Sequence, residues 1–137
     1  VAVLGTVYTQ ASRITTTAVL GACGVGLLAC AILMANNIRD LAADSSSGKR
    51  TAAVLLGDRH ARRVDPAELL GAFAFAAAIA AWNPRSLAAL VLLPPAIRLI
   101  GPVGRGAHGE QMVAVLRATG QIELGYGVIL GLALALG

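Results

Sequence analysis

ITTTAVLGACGVGLLACAILMANNIRDLAADSSSGKRT, Ile14 to Thr51, decides how this chain folds. From Ile14 to Ile38 it carries no charge. That is as long as the roughly 20 apolar residues an α-helix needs to cross the hydrocarbon core of a bilayer. Directly afterwards come Arg39, Asp40, Asp44, Lys49 and Arg50, preceded by the amides Asn36 and Asn37. The sequence therefore predicts a transmembrane helix that delivers two carboxylates, two amides and several cations to the membrane surface.

Spacing gives these groups a chemistry. Asp40 and Asp44 are four residues apart, so on a helix they share a face with side chains roughly 5–6 Å apart, and Asn36 lies one turn below. Two carboxylates at that distance repel unless a cation sits between them. Mg²⁺ suits the gap, because it takes carboxylate oxygens, keeps several waters and commonly completes its octahedron with phosphate oxygens. Lys49 and Arg50 can then hold the same phosphates from the other side. A bare DxxxD most often decorates a solvated helix face, but carboxylates at a bilayer boundary are costly unless paired or functional. The string SSSGKRT is not a nucleotide phosphate loop, since Ala43 and Arg50 stand where Gly and Ser or Thr are required and a membrane helix precedes it.

Composition points to a membrane protein on its own. The chain is 57% hydrophobic and 13% charged, with a mean hydropathy of +0.75, against roughly 25% charged residues in an average soluble domain. Eleven basic residues against seven acids give a net charge of +4, which by itself suggests nucleic acid. That partner is excluded here: the basic residues fall in loops between apolar stretches, and aromatics for base stacking are nearly absent. Anionic lipid head groups and diphosphate fit better. No segment resembles a cleaved signal peptide. Cys23 and Cys30 lie inside an apolar segment without the close Cys and His clusters of zinc sites, so they read as small packing residues.

Outward from the motif, Val1 to Gln10 reads as the end of a helix, and Arg13 marks a turn. Lys49 to Arg63 reads as a basic amphipathic loop. Asp65-Pro66-Ala67-Glu68 predicts a helix start, with Asp65 as cap, Pro66 at the first position and Glu68 completing a capping box. Leu69 to Trp82 is then a second span with Trp82 at its interface, and Asn83-Pro84-Arg85 a tight turn. Leu87 to Ile100 is a third run, in which Pro94-Pro95 predicts a kink. Gly101 to Gly120 reads as a Gly-rich polar loop with one short helix, and Ile122 to Gly137 as the last apolar run. Gly127 and Gly131 form a GxxxG packing face. Arg39, Lys49, Arg50, Arg59, Arg62 and Arg63 fall in one loop, with Arg105 and Arg117 two spans later, against Arg13 and Arg85 on the other side. By the positive-inside rule the aspartate loop is cytoplasmic. His60 and His108 read as solvated loop residues, and Arg98, Glu110 and Glu123 are left undecided.

The string NNIRDLAADSSSGKRTAAVLLGDRHAR resembles the second aspartate-rich motif of the UbiA superfamily of intramembrane prenyltransferases. Its paired Asn, Arg-Asp and Gly-Lys-Arg-Thr are most similar to the 1,4-dihydroxy-2-naphthoate polyprenyltransferase branch, as is the opening VAVLGTVYTQ. The resemblance covers essentially the whole chain, 1–137, as one integral-membrane domain. It implies an all-α, polytopic transmembrane helix bundle in a bacterial inner membrane. It also implies transfer of a polyprenyl group from polyprenyl diphosphate to 1,4-dihydroxy-2-naphthoate in menaquinone biosynthesis, with Mg²⁺ held by Asp40 and Asp44. Asn36, Asn37, Arg39, Lys49 and Arg50 would bind the diphosphate. The family's earlier motif, NDxxDxxxD, does not occur and there is no initiator Met, so the chain reads as a C-terminal portion, inactive without the N-terminal half. Two other readings stay open: a related transferase acting on 4-hydroxybenzoate, haem or chlorophyllide, and a non-enzymatic transporter or scaffold fragment.

Overall fold

The computed structural model describes Ala2 to Leu136; Val1 and Gly137, the outermost residues of the first and last predicted segments, lie outside the described residues. All regular structure among them is helical: α1 (Ala2–Ala11), α2 (Thr16–Arg39), α3 (Leu41–Ser46), α4 (Ala52–Leu56), α5 (Asp58–Ile79), a 3₁₀ segment (Pro84–Leu92), α6 (Leu93–Gly104) and α7 (Glu110–Ala135). Thr15 begins α2, its hydroxyl accepting the Ala18 N–H at 3.1 Å. Three helical stretches are long and apolar enough to cross a membrane, Thr16–Arg39, Pro84–Gly104 and Glu110–Ala135. α5, which holds most of the predicted second span, is not among them, because its first half, Asp58 to Glu68, is charged; it packs along α2, which also contacts α7.

One core cluster joins Leu28 and Ala31 of α2 to Leu69, Phe73, Ala76 and Ile79 of α5 and to Ile122, Tyr126 and Leu130 of α7. A second, nearer the aspartate motif, gathers Met34, Ala35, Ile38, Ala61, Val103, Met112 and Val115. In a bilayer such contacts stabilise by close packing and buried hydrogen bonds, since lipid tails are as apolar as the helices. Tyr126 supplies both: its ring meets Phe73 edge-on at 5.8 Å between centroids, and its hydroxyl donates to the Ala72 carbonyl at 2.8 Å. Gly24 makes room for it, because a Cβ there would land on the Tyr126 hydroxyl. Ser86 Oγ donates to the Ala76 carbonyl at 2.9 Å, satisfying an acceptor that the end of α5 leaves without its helical partner.

Four expectations need correction. α5 starts at Asp58, not Asp65: Gly57, at φ +77°, breaks the chain before it, Asp58 pairs with Arg62 one turn on, and Pro66 is carried inside the helix. Pro94 and Pro95 do not kink a helix in mid-run; they occupy the first turn of α6, where absent N–H groups cost little, and the distortion appears as the preceding 3₁₀ geometry. The Gly101 to Gly120 loop shrinks to Arg105–Gly109, because α6 runs on to Gly104 and α7 begins at Glu110. The buried residues Met112, Val115, Thr119, Ile122, Tyr126 and Leu130 recur at helical spacing and hold that segment in place. Gly127 and Gly131 are not a packing face within the described residues, for a Cβ at either would meet open space. They line a cavity of about 550 Å³ with Arg13, Trp82 and Asn83.

The two ends of the bundle are chemically distinct. The aspartate motif, the start of α5 and the α6–α7 turn share one end, so Arg39, Lys49, Arg50, Arg62 and Arg105 gather there. Arg13 and Arg85 lie at the other. There Asn83 Nδ2 donates to the Ala133 carbonyl at 3.1 Å and the Arg85 guanidinium to that of Leu136.

Candidate metal and diphosphate site

Asn36, Asp40 and Asp44 form a ladder one helical turn per step. The Asp40 N–H donates to the Asn36 carbonyl at 3.1 Å and the Asp44 N–H to the Asp40 carbonyl at 2.9 Å. α2 and α3 are thus one helical path bent at Asp40, whose φ and ψ are −94° and 2°. On the opposite face of this path, Ile38 is in the core. Asn36 is half-buried and Asn37 buried beside the ladder.

The segment after α3 folds back over Asp44. Gly48 takes the left-handed conformation at φ +73°, which a residue with a side chain adopts at a cost. Its N–H donates to the Ser45 carbonyl at 3.3 Å, and the Lys49 N–H to the Asp44 carbonyl at 2.9 Å. Those two bonds are the Schellman ending of a helix, with glycine at C′. Gly48 and Thr51, whose hydroxyl accepts the Val54 N–H and caps α4, therefore account for the SSSGKRT string without a nucleotide.

Each carboxylate carries its own cation. Arg39 grips Asp40 with two parallel bonds, Nε to Oδ1 at 2.8 Å and Nη2 to Oδ2 at 2.7 Å. Lys49 Nζ donates to Asp44 Oδ1 at 3.1 Å, bridging an exposed ammonium to a buried carboxylate. The hydrogen bonds from Arg39 hold the Asp40 carboxyl below the usual carboxylate range, with the charges of Arg39 and Lys49 adding to the effect and partial burial opposing it. Arg50 is exposed and has no ion pair among the described residues.

Among the described residues, no three His, Cys, Asp or Glu side chains converge on a point. The donors are two carboxylates with an amide one turn below. That set is too small for a closed protein cage, yet chemically right for Mg²⁺, a hard cation that keeps waters and completes its shell with phosphate oxygens.

Sequence reasoning missed a second polar cluster behind the motif. Buried Arg62 donates from Nε to Asp58 Oδ1 at 2.8 Å, and its Nη1 donates to the carbonyls of Val103 and Ala107 at 3.0 and 3.1 Å. Nη2 lies 3.4 Å from Nδ1 of His108, which is thus not the partnerless residue predicted. Only the Asp58–Arg62 spacing of four residues was visible locally. His60 is exposed, as predicted. Asp65 is buried in the first half of α5, and burial, reinforced by the charge of Glu68, pushes its carboxyl up to about 7. Burial also raises Glu68.

Residues 1–104, most of the chain and all of the aspartate ladder, match the UbiA prenyltransferase family. The chain belongs to that family. Among UbiA relatives, the 1,4-dihydroxy-2-naphthoate octaprenyltransferase of Mycobacterium tuberculosis is 39% identical over 137 residues, covering 100% of this chain and 47% of the relative. That of Mycobacterium leprae is 37% identical over 136 residues, 99% and 46% of the two chains. The Escherichia coli protein of the same name is 42% identical over 69 residues, covering 50% of this chain and 22% of its own. The chain thus spans about half the length of the mycobacterial UbiA relatives it matches. No solved structure matches it. The all-α architecture and membrane-spanning helices agree with the resemblance read from the motif.

Proposed function

We propose that the protein of which this chain is part transfers a polyprenyl group from polyprenyl diphosphate to 1,4-dihydroxy-2-naphthoate in menaquinone biosynthesis. The observation that carries the reading is the Asn36–Asp40–Asp44 ladder with Arg39, Lys49 and Arg50 around it, in a chain whose relatives over its full length bear that name. Mg²⁺ bound there would neutralise the diphosphate and stabilise pyrophosphate as a leaving group. Asp40 and Asp44 are the residues that would hold it. Arg39, Lys49 and Arg50 bind phosphate oxygens, Arg through its planar fork and Lys as a point charge. Asn36 and Asn37 offer amide donors and acceptors to the same head group.

In the reaction the allylic carbon–oxygen bond breaks, the prenyl carbon bonds to the electron-rich naphthoate ring, and the ring loses its carboxyl group. The family's first aspartate motif and the rest of the acceptor pocket belong to the N-terminal half, so this chain alone is inactive in this reading. The protein sits in the bacterial inner membrane with the aspartate loop in the cytoplasm. The purified full-length protein, given polyprenyl diphosphate and competing acceptors, tests the proposal. Prenylated naphthoate formed with Mg²⁺ and lost with EDTA supports it; preference for 4-hydroxybenzoate, or no prenyl transfer at all, overturns it.

A further inference from the structure

We infer that Arg39 and Lys49 are built-in counter-ions that keep a bare divalent cation off Asp40 and Asp44, so that metal enters this half of the site only together with a diphosphate. The inference rests on the proposed reading of the ladder as a metal and diphosphate site. It starts from the observation that neither carboxylate is free. Arg39 engages both oxygens of Asp40, so a metal ion must displace at least one charge-assisted bond to bind there. Lys49 takes one oxygen of Asp44. Its backbone N–H is bonded to the Asp44 carbonyl, so its ammonium swings on a short tether and stays near whatever replaces it.

Charge decides what can replace these pairs. Asp40 and Asp44 with Arg39, Lys49 and Arg50 carry two negative and three positive charges. A divalent cation arriving alone would raise that excess from one positive charge to three and strand two displaced cations at a membrane surface. A prenyl diphosphate, which carries up to three negative charges, brings the same group to neutrality. It also gives the displaced Arg39 fork and Lys49 ammonium the phosphate oxygens that both recognise as readily as carboxylate. Arg50, exposed and without an ion pair among the described residues, is placed to meet the anion first. The consequence is ordered chemistry: the site closes on a metal–diphosphate unit and ignores metal without substrate.

Mn²⁺ binding to the full-length protein, followed by electron paramagnetic resonance with and without inorganic pyrophosphate, tests this without any turnover. In the wild type, binding that depends on Asp44 should be weak for Mn²⁺ alone and strengthen when pyrophosphate is added. Lys49→Gln, and separately Arg39→Gln, should tighten binding of Mn²⁺ alone by roughly fivefold, what a partly exposed ion pair is worth, while weakening the gain from pyrophosphate. Both side chains are substantially exposed, so neither change removes core packing. Asp44→Asn separates the two ways of failing. If it leaves Mn²⁺–pyrophosphate binding intact, the metal reading of the ladder itself is wrong. If it abolishes that binding but neither Gln variant alters the affinity for Mn²⁺ alone, the ladder reading survives and the counter-ion inference is overturned.

Discussion

Replacing Arg62 by Met keeps most of the side-chain stem and removes the guanidinium, which isolates what the buried charge contributes. The loss can be worked from its partners. Asp58 is half-exposed and returns to water at little cost. The Val103 carbonyl keeps the Gly106 N–H at 3.2 Å, whereas the Ala107 carbonyl loses the bond from Nη1. A charge-assisted bond to a carbonyl contributes about 1.5–3 kcal/mol. One such bond in full and part of a second give about 3 kcal/mol. At roughly 2–4 °C per kcal/mol for a protein of a few hundred residues, the unfolding midpoint of the full-length protein in detergent should fall by about 6–12 °C. Arg62→Lys should recover less than half, since one ammonium cannot serve Asp58 and two carbonyls in a fixed fork. Asp58→Asn should cost far less than either. A Met variant that melts within about 1 °C of wild type would refute the claim that Arg62 ties α5 to the α6–α7 turn.

Gly24→Ala should destabilise by about 1–3 kcal/mol, the usual cost of overpacking, and Tyr126→Phe in the same chain should relieve part of it because the clash is with the hydroxyl; strictly additive costs by thermal unfolding would contradict the contact. Asp65→Asn should stabilise in a pH-dependent way. With the folded carboxyl raised to about 7 from 3.8, the unfolded chain ionises first, so wild-type stability falls as pH rises through that window. The benefit of Asn therefore grows from near zero at pH 4 to at most about 4 kcal/mol above pH 7; a benefit independent of pH would show that Asp65 is not a buried acid. Single-cysteine labelling at Ser46, with Cys23 and Cys30 replaced, should fail from outside intact cells, and labelling there would reverse the orientation.

What the sequence disclosed and what it hid follow from the range of the forces involved. The uncharged run ending in NNIRD was legible because membrane insertion and helical spacing are local properties, and the backbone steps from Asn36 to Asp40 to Asp44 are helical. The start of α5 was misread for a local reason as well: Asp65-Pro66-Ala67-Glu68 carries every mark of a helix start. The Asp58–Arg62 pair and the buried stripe Ala61, Leu69, Ala72 and Phe73 carry the helix through it, with Pro66 accommodated inside. The first half of α7 was hidden by its polar residues and by the glycines of the turn before it, although its buried stripe at Met112, Val115, Thr119 and Ile122 follows helical spacing. The Arg62 cluster was out of reach, since its carbonyl partners lie 41 and 45 residues away along the chain. Nor did spacing reveal that Arg39 and Lys49 rest on the aspartates; for Lys49 that depends on the left-handed turn at Gly48.

In the proposed function, Asp40 and Asp44 hold the metal-bridged diphosphate during prenyl transfer. Turnover of the full-length protein carrying Asp40→Asn or Asp44→Asn, measured over a Mg²⁺ titration with membrane insertion verified, tests it most directly. Asn keeps the shape and removes the charge, so each variant should lose roughly 10²–10³ in rate, as when a comparable electrostatic stabiliser is removed. Wild-type turnover with unchanged Mg²⁺ dependence in both variants would contradict the account.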